Sequence, residues 1–541
     1  MRRRAGADNN KPGVRAGCGF GVIGRVFMTP LQGRRRFLGA ALCGGVLAAC
    51  GSSDDANTDP GPAPVPDKQI NDAIAQLDTL SARLMASTGV PGMAVAVVRG
   101  SQTVYAKGFG VRSLNAPAPV DADTVFQLAS VSKGVGATVV ATQVEKGNVS
   151  WDTPVRAHLP WFTLSDPAVS EAVTVADLYS HRSGLPDHAG DLLEDMGYDQ
   201  RQVLERLRYL KLEPFRKTYL YTNFGLTAAA ESVAVASGVD WATLSETAIY
   251  RPLGMTSTSS RYADFVARPN RAVGHVKLDG KWRVGPGTMP DAQSPAGGVS
   301  SSVNDMAKWL AMILGNGAVA GRRIVDEKAL MPALSRQNLS SPAHDGRPDG
   351  YYGFGFNVGT TEAGRVSYNH SGAFGVGAAT VFTIVPSTGV AIVVLTNGYP
   401  FGVPETLAAQ FFDLVQFGAI RQDWATIFAN AFAPSLAPEG SLVGVPRPVN
   451  PQPPQPLANY AGTYRNEYYG PLQVTLAGTA LVLVIGATPL RLPLTHWDGD
   501  VFTFVLHDEN AQPGTISKAS FTADRVTLEY YDHDRLGTFA R

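Results

Sequence analysis

The hydrophobic positions near residue 70 recur at helical spacing. From Gln69 onwards the apolar positions, three, four and seven residues apart, are Ile70, Ile74, Leu77 and Leu84. This spacing predicts helical structure with one buried face. The next segment, "MAVAVVRGSQTVYAKGFG" (93–110), predicts a hairpin of two strands about a Gly-Ser turn.

A second apolar region lies far along the chain. The segment "GAATVFTIVPSTGVAIVVLTN" (377–397) predicts two strands about a Pro-Ser-Thr-Gly turn, and that turn argues against a membrane span. A helix is expected around residues 406–416. Strands at both ends with helical and loop-rich sequence between them predict an α+β fold. Its antiparallel sheet is built from both ends of the chain and carries an inserted helical lobe.

The last part of the chain has a different pattern. Residues 433–456 contain eight prolines in 24 positions, which predicts a stiff, extended linker. Beyond it, short alternating runs such as "LQVTL" and "RVTLEYY" come between turns. Residues 457–541 are therefore predicted to form a small antiparallel β-barrel or sandwich.

The first 49 residues have the order of features of an export signal. In "GRRRFLGAALCGGVLAAC" (33–50), three arginines precede an apolar run of 13 residues that ends before Cys50. The arginines resemble a twin-arginine signal, and the last four residues resemble a lipobox whose cysteine, Cys50, is lipidated. Met28 would be a more usual start than Met1. The plainer alternative is a disordered basic tail with an incidental cysteine.

This interpretation makes the protein exported and lipid-anchored, facing the periplasm or cell exterior. Residues 50–68, rich in proline and polar residues, would form the tether between the lipid and the folded domain.

Charge and cysteine content exclude several classes of function. Residues 1–49 hold nine of the 46 basic and one of the 46 acidic residues, so the remainder has a net charge of −8. A nucleic-acid partner is therefore not expected. The cysteines are Cys18, Cys43 and Cys50, which excludes disulfides and a cysteine nucleophile from the folded body. The nine histidines show no metal-site spacing, and no metal or other cofactor is expected.

The segment "ASVSKGVGAT" (129–138) offers candidate chemistry. Ser130 and Lys133 are three residues apart where a helix is expected to begin, so their side chains can meet on one face. A lysine whose environment lowers its pKa can take the proton of a serine and make it a nucleophile. A surface serine beside a solvated lysine is the plainer interpretation, because this spacing alone is common.

Two later segments offer partners for that serine. In "YLYTNFGL", Tyr221 could move a proton, and Asn223 could bond Lys133 and a substrate amide. The plainer roles are a core aromatic for Tyr221 and a helix cap for Asn223. In "YNHSGAFG", His370 and Ser371 would line the far wall, although His370 could equally be a turn residue. The same segment contains two further candidates: Gly372 would let substrate lie along the strand, and the Ala373 N–H would join that of Ser130 as an oxyanion donor.

The order Ser-x-x-Lys, Tyr-x-Asn and His-Ser-Gly resembles the penicillin-binding-protein and class C β-lactamase superfamily of serine hydrolases, with its esterase and D-aminopeptidase relatives. The stretches "LYSHRSGLPD" (178–187) and "PAGGVSSSVNDMAKWL" (295–310) are similar to this family too, and His181 and Ser183 are expected to hold a loop. The resemblance implies a β-lactamase/transpeptidase-like domain at 69–432. It also implies a Ser130 acyl-enzyme formed with Lys133 and Tyr221, and binding of substrate by Asn223 and the third motif.

One position departs from the usual pattern. Classical β-lactamases and peptidoglycan peptidases usually have lysine where this chain has His370, and losing that fixed charge weakens recognition of a substrate carboxylate. Strong β-lactamase activity is therefore not expected. The predicted function is hydrolysis of an ester, amide, β-lactam or D-amino-acid peptide bond in a small-molecule or peptide substrate. The alternative is a catalytically weak penicillin-binding or cell-wall-sensing module. The C-terminal domain is expected to be a packing or spacer module rather than a gate for substrate.

Overall fold

A large antiparallel sheet forms the centre of the molecule. The computed structural model describes residues 62–343 and 348–541. Eight strands pair in the order β2-β1-β8-β7-β6-β5-β4-β3. Their bounds are β1 Gly92–Arg99, β2 Gln102–Gly110, β3 Asn338–Ser341, β4 Gly350–Tyr352, β5 Asn357–Thr360, β6 Val366–Phe374, β7 Ala378–Val385 and β8 Val390–Thr396. Strand β1, from the start of the described chain, thus pairs with β8 near the end of this domain, as the apolar pattern predicts.

The central strands are buried on both faces of the sheet. Every residue of β8 is buried, as are all but one residue of β1 and of β7. Continuous apolar runs of this kind suit a strand covered by helices on both sides. Both predicted hairpins are confirmed, and the 3₁₀ turn Pro386–Thr388 joins β7 to β8.

Helices cover both faces of the sheet. One face packs against α1, α2 and α15, and the other packs against the helical lobe inserted between β2 and β3. The helices are α1 Asp67–Ala75, α2 Leu77–Thr88, α3 Ser132–Glu145, α4 Pro167–Ala172, α5 Val175–Tyr179, α6 Asp191–Asp195, α7 Gln200–Arg206, α8 Asn223–Ser237, α9 Trp241–Ser245, α10 Arg251–Leu253, α11 Tyr262–Ala267, α12 Ser294–Gly297, α13 Val303–Leu314, α14 Glu327–Leu330, α15 Val403–Phe417 and α16 Trp424–Phe432. The lobe also contains three short strand pairs, Phe126–Gln127 with Ser300–Ser301, His275–Leu278 with Lys281–Val284, and Ala318–Val319 with Arg322–Arg323.

The C-terminal strands close into a barrel, which decides between the barrel and the sandwich predicted from the sequence. The barrel strands, paired antiparallel in chain order, are β9 Gly462–Asn466, β10 Gly470–Ala477, β11 Ala480–Ile485, β12 Leu490–Asp498, β13 Val501–Leu506, β14 Thr515–Phe521, β15 Arg525–Leu528 and β16 Thr538–Ala540. Burial alternates along β14, so every second side chain fills the interior. The preceding linker contacts the barrel, since the Ile516 N–H donates to the Glu439 carbonyl at 3.0 Å.

The predicted signal peptide, Cys50 and most of the tether lie outside the described residues. Within residues 62–343 and 348–541, no helix has the length and apolar character needed to cross a membrane. Over the same ranges, no three His, Cys, Asp or Glu side chains come together as a metal site.

Candidate active site

Ser130 lies on a strained turn that leads directly into a buried helix. The 3₁₀ turn Ala129–Val131 precedes α3, and Ala129 has φ +48°. A left-handed conformation costs a residue with a side chain about 1–2 kcal/mol. The turn is held by Leu128, whose N–H donates to the Val299 carbonyl at 2.8 Å. The local geometry therefore presents the Ser130 side chain beside the first turn of α3.

The Lys133 side chain is completely buried and lies against Ser130. Its Nζ lies 3.0 Å from Ser130 Oγ, 2.7 Å from Asn223 Oδ1 and 3.0 Å from the Ala296 carbonyl oxygen. Both carbonyl oxygens can only accept hydrogen bonds. When Lys133 loses a proton, its two remaining N–H groups stay on these carbonyls, and the nitrogen lone pair is left facing Ser130.

The surroundings of Lys133 favour its neutral form. Burial lowers the pKa of Lys133 to about 7, and the negative charge of Asp191 acts in the opposite direction. A substantial fraction of the amine is therefore neutral at physiological pH. Lys133 can thus accept the Ser130 proton.

Tyr221 completes the wall beside the serine. Its ring lies 4.6 Å from Lys133 Nζ, and the whole side chain is buried. Burial raises the pKa of Tyr221 well above its ordinary value, and only the adjacent Ser130 side chain lowers it. The hydroxyl is near Ser130 without forming a well-aligned hydrogen bond to any described residue. A neutral phenol at this position can pass on a proton, whereas a tyrosinate base is disfavoured.

Asn223 binds Lys133 on one side and a carboxylate on the other. It is the first residue of α8, and its Nδ2 donates to Asp191 Oδ2 at 2.9 Å while its Oδ1 accepts from Lys133. Thr222, not Asn223, occupies the N-cap. The side chain therefore serves the cleft rather than the end of its helix.

His370 faces the same cleft as a neutral ring. Its Nδ1 bonds the Ser371 carbonyl at 2.6 Å, so this nitrogen carries the proton and Nε2 accepts from the Tyr352 hydroxyl at 2.8 Å. Burial first, and then the charge of Lys133, lower the pKa of His370 to about 3. His370 thus provides no positive charge for a substrate carboxylate at neutral pH.

Strand β6 passes close to Ser130 at Gly372. A Cβ at this position would lie 2.2 Å from the Leu128 carbonyl oxygen, 2.4 Å from Thr380 Oγ1 and 3.0 Å from the Ser130 nitrogen, so this close approach requires glycine. The Ala373 amide is the next along the strand. The strand that carries Ala373 thus lies beside the Ser130 amide, as the expected pair of oxyanion donors requires.

The Ser371 side chain is not brought into this cleft. His370 pairs with Phe382 and Gly372 with Thr380, both of which face the helical lobe, whereas Ser371 pairs with Val381. Val381 packs on the opposite face of the sheet. There the Ser371 side chain interacts with Glu405 of α15.

The family of this chain follows from comparison with known proteins. Residues 77–415, more than half of the chain, match the family model described as Beta-lactamase. The chain belongs to the beta-lactamase family. Residues 446–531 of this beta-lactamase-family protein, which include most of the barrel, match a second model, described as a domain of unknown function (DUF3471).

Several known proteins are similar to this family member. The unguisins hydrolase ungD of Aspergillus violaceofuscus is 26% identical over 80% of this chain and 82% of its own length. Penicillin-binding protein 4 of Amycolatopsis lactamdurans is 28% identical over 70% of this chain and 94% of its own. A solved structure, the octameric penicillin-binding protein homologue from Pyrococcus abyssi, superposes with a TM-score of 0.58 at 20% identity. It covers 86% of this chain and 100% of its own. The structural match supports the same fold.

The beta-lactamase-family site contains supporting residues, of which the sequence pattern assigned His181 but not Asp187, Asp191 or Tyr352. The Asp187 carboxylate accepts the Tyr221 N–H at 2.6 Å, and His181 Nδ1 accepts the Thr222 N–H at 3.2 Å. His181 thus holds the backbone at Thr222, next to Tyr221, consistent with its expected role in fixing a loop. Asp191 and Tyr352 had no sequence signal, because the cleft residues that they bond, Asn223 and His370, are 32 and 18 positions away along the chain. The one sequence signal in this region is the cluster of polar side chains in "SHRSGLPD" (180–187), which precedes α6.

Proposed function

We propose that this beta-lactamase-family protein is a serine hydrolase that works through a Ser130 acyl-enzyme. The observation that carries the proposal is the environment of Lys133, a buried amine 3.0 Å from Ser130 whose other contacts in the cleft are two carbonyl acceptors. A solvated surface lysine would have neither its burial nor a pKa lowered to about 7. This arrangement activates a hydroxyl nucleophile.

In the proposed reaction, Lys133 Nζ takes the proton of Ser130 Oγ, which forms a bond to the carbonyl carbon of the substrate. The resulting oxyanion accepts hydrogen bonds from the N–H groups of Ser130 and Ala373. Collapse of this intermediate breaks the bond to the leaving group, which receives the proton held by Lys133 through the Tyr221 hydroxyl. The neutral lysine then takes a proton from water, whose oxygen bonds to the acyl carbon. The bond between Ser130 Oγ and the acyl group breaks, the acid leaves, and Ser130 Oγ takes the proton back from Lys133.

The proposed substrates are esters, amides or D-amino-acid peptide bonds whose recognition does not depend on a carboxylate. The neutral His370 ring supports this choice, because a neutral ring cannot form an ion pair with a substrate carboxylate. The similar proteins named as a hydrolase and as a penicillin-binding protein are consistent with acyl transfer. A binding or sensing module would have no need of a buried, deprotonatable lysine beside its serine.

Steady-state hydrolysis by residues 69–541 tests this function. p-Nitrophenyl acetate, a D-alanine peptide and benzylpenicillin are compared, with Ser130→Ala in parallel. We expect turnover of the ester or the peptide that is abolished in Ser130→Ala, and slower hydrolysis of benzylpenicillin. Equal rates for the wild type and Ser130→Ala would refute the proposal.

We also propose that the mature protein is exported and lipid-anchored through Cys50. The proposal rests on the order of arginines, apolar run and cysteine in residues 33–50. Labelling of growing cells with a radioactive fatty acid should give a labelled band that is absent in Cys50→Ser. Equal labelling of both proteins, or of neither, would contradict the anchor.

A further inference from the structure

The C-terminal barrel contacts the catalytic domain next to the proposed oxyanion site. The contact is made by the barrel loop, defined here as residues 508–511 between β13 and β14. The Asp508 carboxylate accepts the N–H groups of Asn510 and Ala511, at 3.1 and 2.8 Å, and so folds the loop tightly. The half-buried Glu509 points away from the barrel towards the end of β6.

Glu509 forms hydrogen bonds with the backbone immediately after β6, the strand that carries Ala373. Its Oε1 accepts the Gly375 N–H at 2.7 Å and its Oε2 accepts the Val376 N–H at 3.3 Å. A side chain at position 375 would run into the Glu509 backbone, so this approach requires glycine. Both amides lie two or three residues beyond Ala373, the proposed oxyanion donor.

The barrel also contacts the opposite wall of the cleft. Asn510 Nδ2 donates to Asp195 Oδ2 at 2.7 Å, and the Tyr468 hydroxyl accepts the Gly190 N–H at 3.1 Å. These contacts hold the two ends of α6. That helix carries Asp191, which bonds the catalytic-cleft residue Asn223.

We propose that Glu509 is a positioning residue of the hydrolase: through the barrel loop it holds the end of β6 at a set distance from α6 and so aligns the Ala373 amide with Ser130. The inference rests on the proposed acyl-enzyme function and extends it to a residue 379 positions away from the nucleophile. It gives the barrel a role in catalysis beyond that of a spacer. An oxyanion donor acts mainly on the transition state, so a misplaced Ala373 amide should lower kcat more than it changes KM.

The test compares Glu509→Ala and Glu509→Gln with matched changes at Glu529. Glu529 also belongs to the barrel and also accepts two backbone N–H groups, from Ser441 and Lys518, but it does so away from the catalytic domain. Hydrolysis of p-nitrophenyl acetate gives kcat and KM. Inhibition by phenylboronic acid reports the oxyanion geometry, because its adduct with Ser130 imitates the tetrahedral intermediate.

We expect Glu509→Ala to lower kcat about tenfold and to weaken boronate inhibition by a similar factor, with KM within about twofold of wild type. Glu509→Gln keeps the shape and one acceptor oxygen, so its loss should be smaller. Glu529→Ala and Glu529→Gln should keep the wild-type values.

Unchanged kcat and boronate affinity in Glu509→Ala, or equal losses in the Glu509 and Glu529 variants, would overturn the inference. Ser130→Ala in the same assay separates this outcome from failure of the proposed function. If the proposed function is wrong, Ser130→Ala stays active. If only the role of Glu509 is wrong, Ser130→Ala is inactive.

Discussion

At the scale of single residues, the chemistry of Lys133 depends on two carbonyl groups, and the sequence predicts only that of Asn223 as a partner. The spacing of Ser130 and Lys133 predicts that the side chains meet, and they do so at 3.0 Å. The predicted bond between Lys133 and Asn223 is present. The bond to the Ala296 carbonyl follows only from the packing of α12 against α3. Sequence spacing thus identifies Ser130 and Lys133 as partners. Tertiary packing decides the direction of the lone pair on the Lys133 nitrogen.

The rate of hydrolysis should depend on the protonation of Lys133. Because the base must be neutral and its pKa is about 7, kcat/KM should rise with pH through the neutral range. Below pH 7 the value should fall about tenfold per pH unit. Initial rates with a neutral ester between pH 5 and 9 measure this rising limb of the pH dependence of kcat/KM. A flat profile over that range would exclude Lys133 as the base.

Replacing Asp191 should move that limb in a defined direction. The charge of Asp191 raises the pKa of Lys133, so Asp191→Asn should lower the midpoint of the limb by roughly one unit. The maximal rate should also fall, because Asn223 loses the carboxylate that orients it. The matched control is Asp166→Asn at the exposed N-cap of α4, which should leave the profile unchanged. A midpoint that moves upwards in Asp191→Asn would contradict this account of the site.

At the scale of secondary-structure elements, strand β6 shows what a motif can and cannot predict. The His-Ser-Gly pattern correctly indicates a strand at the cleft, but neighbouring side chains on a strand point to opposite faces. His370 and Gly372 therefore face Ser130, while Ser371 faces Glu405. A motif written as consecutive letters does not distinguish the two faces until the register with β7 is known.

The close approach of β6 to Ser130 makes a prediction about its glycine. Gly372→Ala should lower kcat/KM by about a hundredfold, because the added methyl group would clash with the Leu128 carbonyl and Thr380 and so move the strand relative to Ser130. Gly350→Ala in β4 is the control, because a Cβ there would meet its neighbours at ordinary distances of 3.4 Å or more. Steady-state assays of both variants, with melting temperatures, give the comparison. Equal effects at the two positions would contradict the proposed oxyanion geometry.

At the scale of the whole molecule, the barrel and the helical lobe share one hydrophobic core. Buried residues of the lobe such as Met196 and Tyr198 belong to the same cluster as Tyr468 and Tyr469 of the barrel. The alternating sequence of the C-terminal segment predicted its strands, because each strand is a local pattern. Its docking site was not predictable, since the contacts join residues that are 130 or more positions apart.

A shared core should make the two parts unfold together. We expect calorimetry of residues 69–541 to show one cooperative thermal transition, because the barrel cannot separate without exposing apolar surface of the lobe. Tyr468→Ala removes part of this contact and should lower the temperature of that single transition. Two well-separated transitions in the wild type would show that the interface contributes little to stability.

The central claim is that Ser130 forms a covalent acyl-enzyme, and intact mass spectrometry measures this most directly. Residues 69–541 are mixed with benzylpenicillin or an activated ester and sampled over time, with Ser130→Ala alongside. We predict a transient mass increase equal to the acyl group, found in the wild type, lost again on hydrolysis, and missing in Ser130→Ala. Substrate turnover without any Ser130-dependent adduct under rapid quenching, or an adduct that persists in Ser130→Ala, would contradict the account.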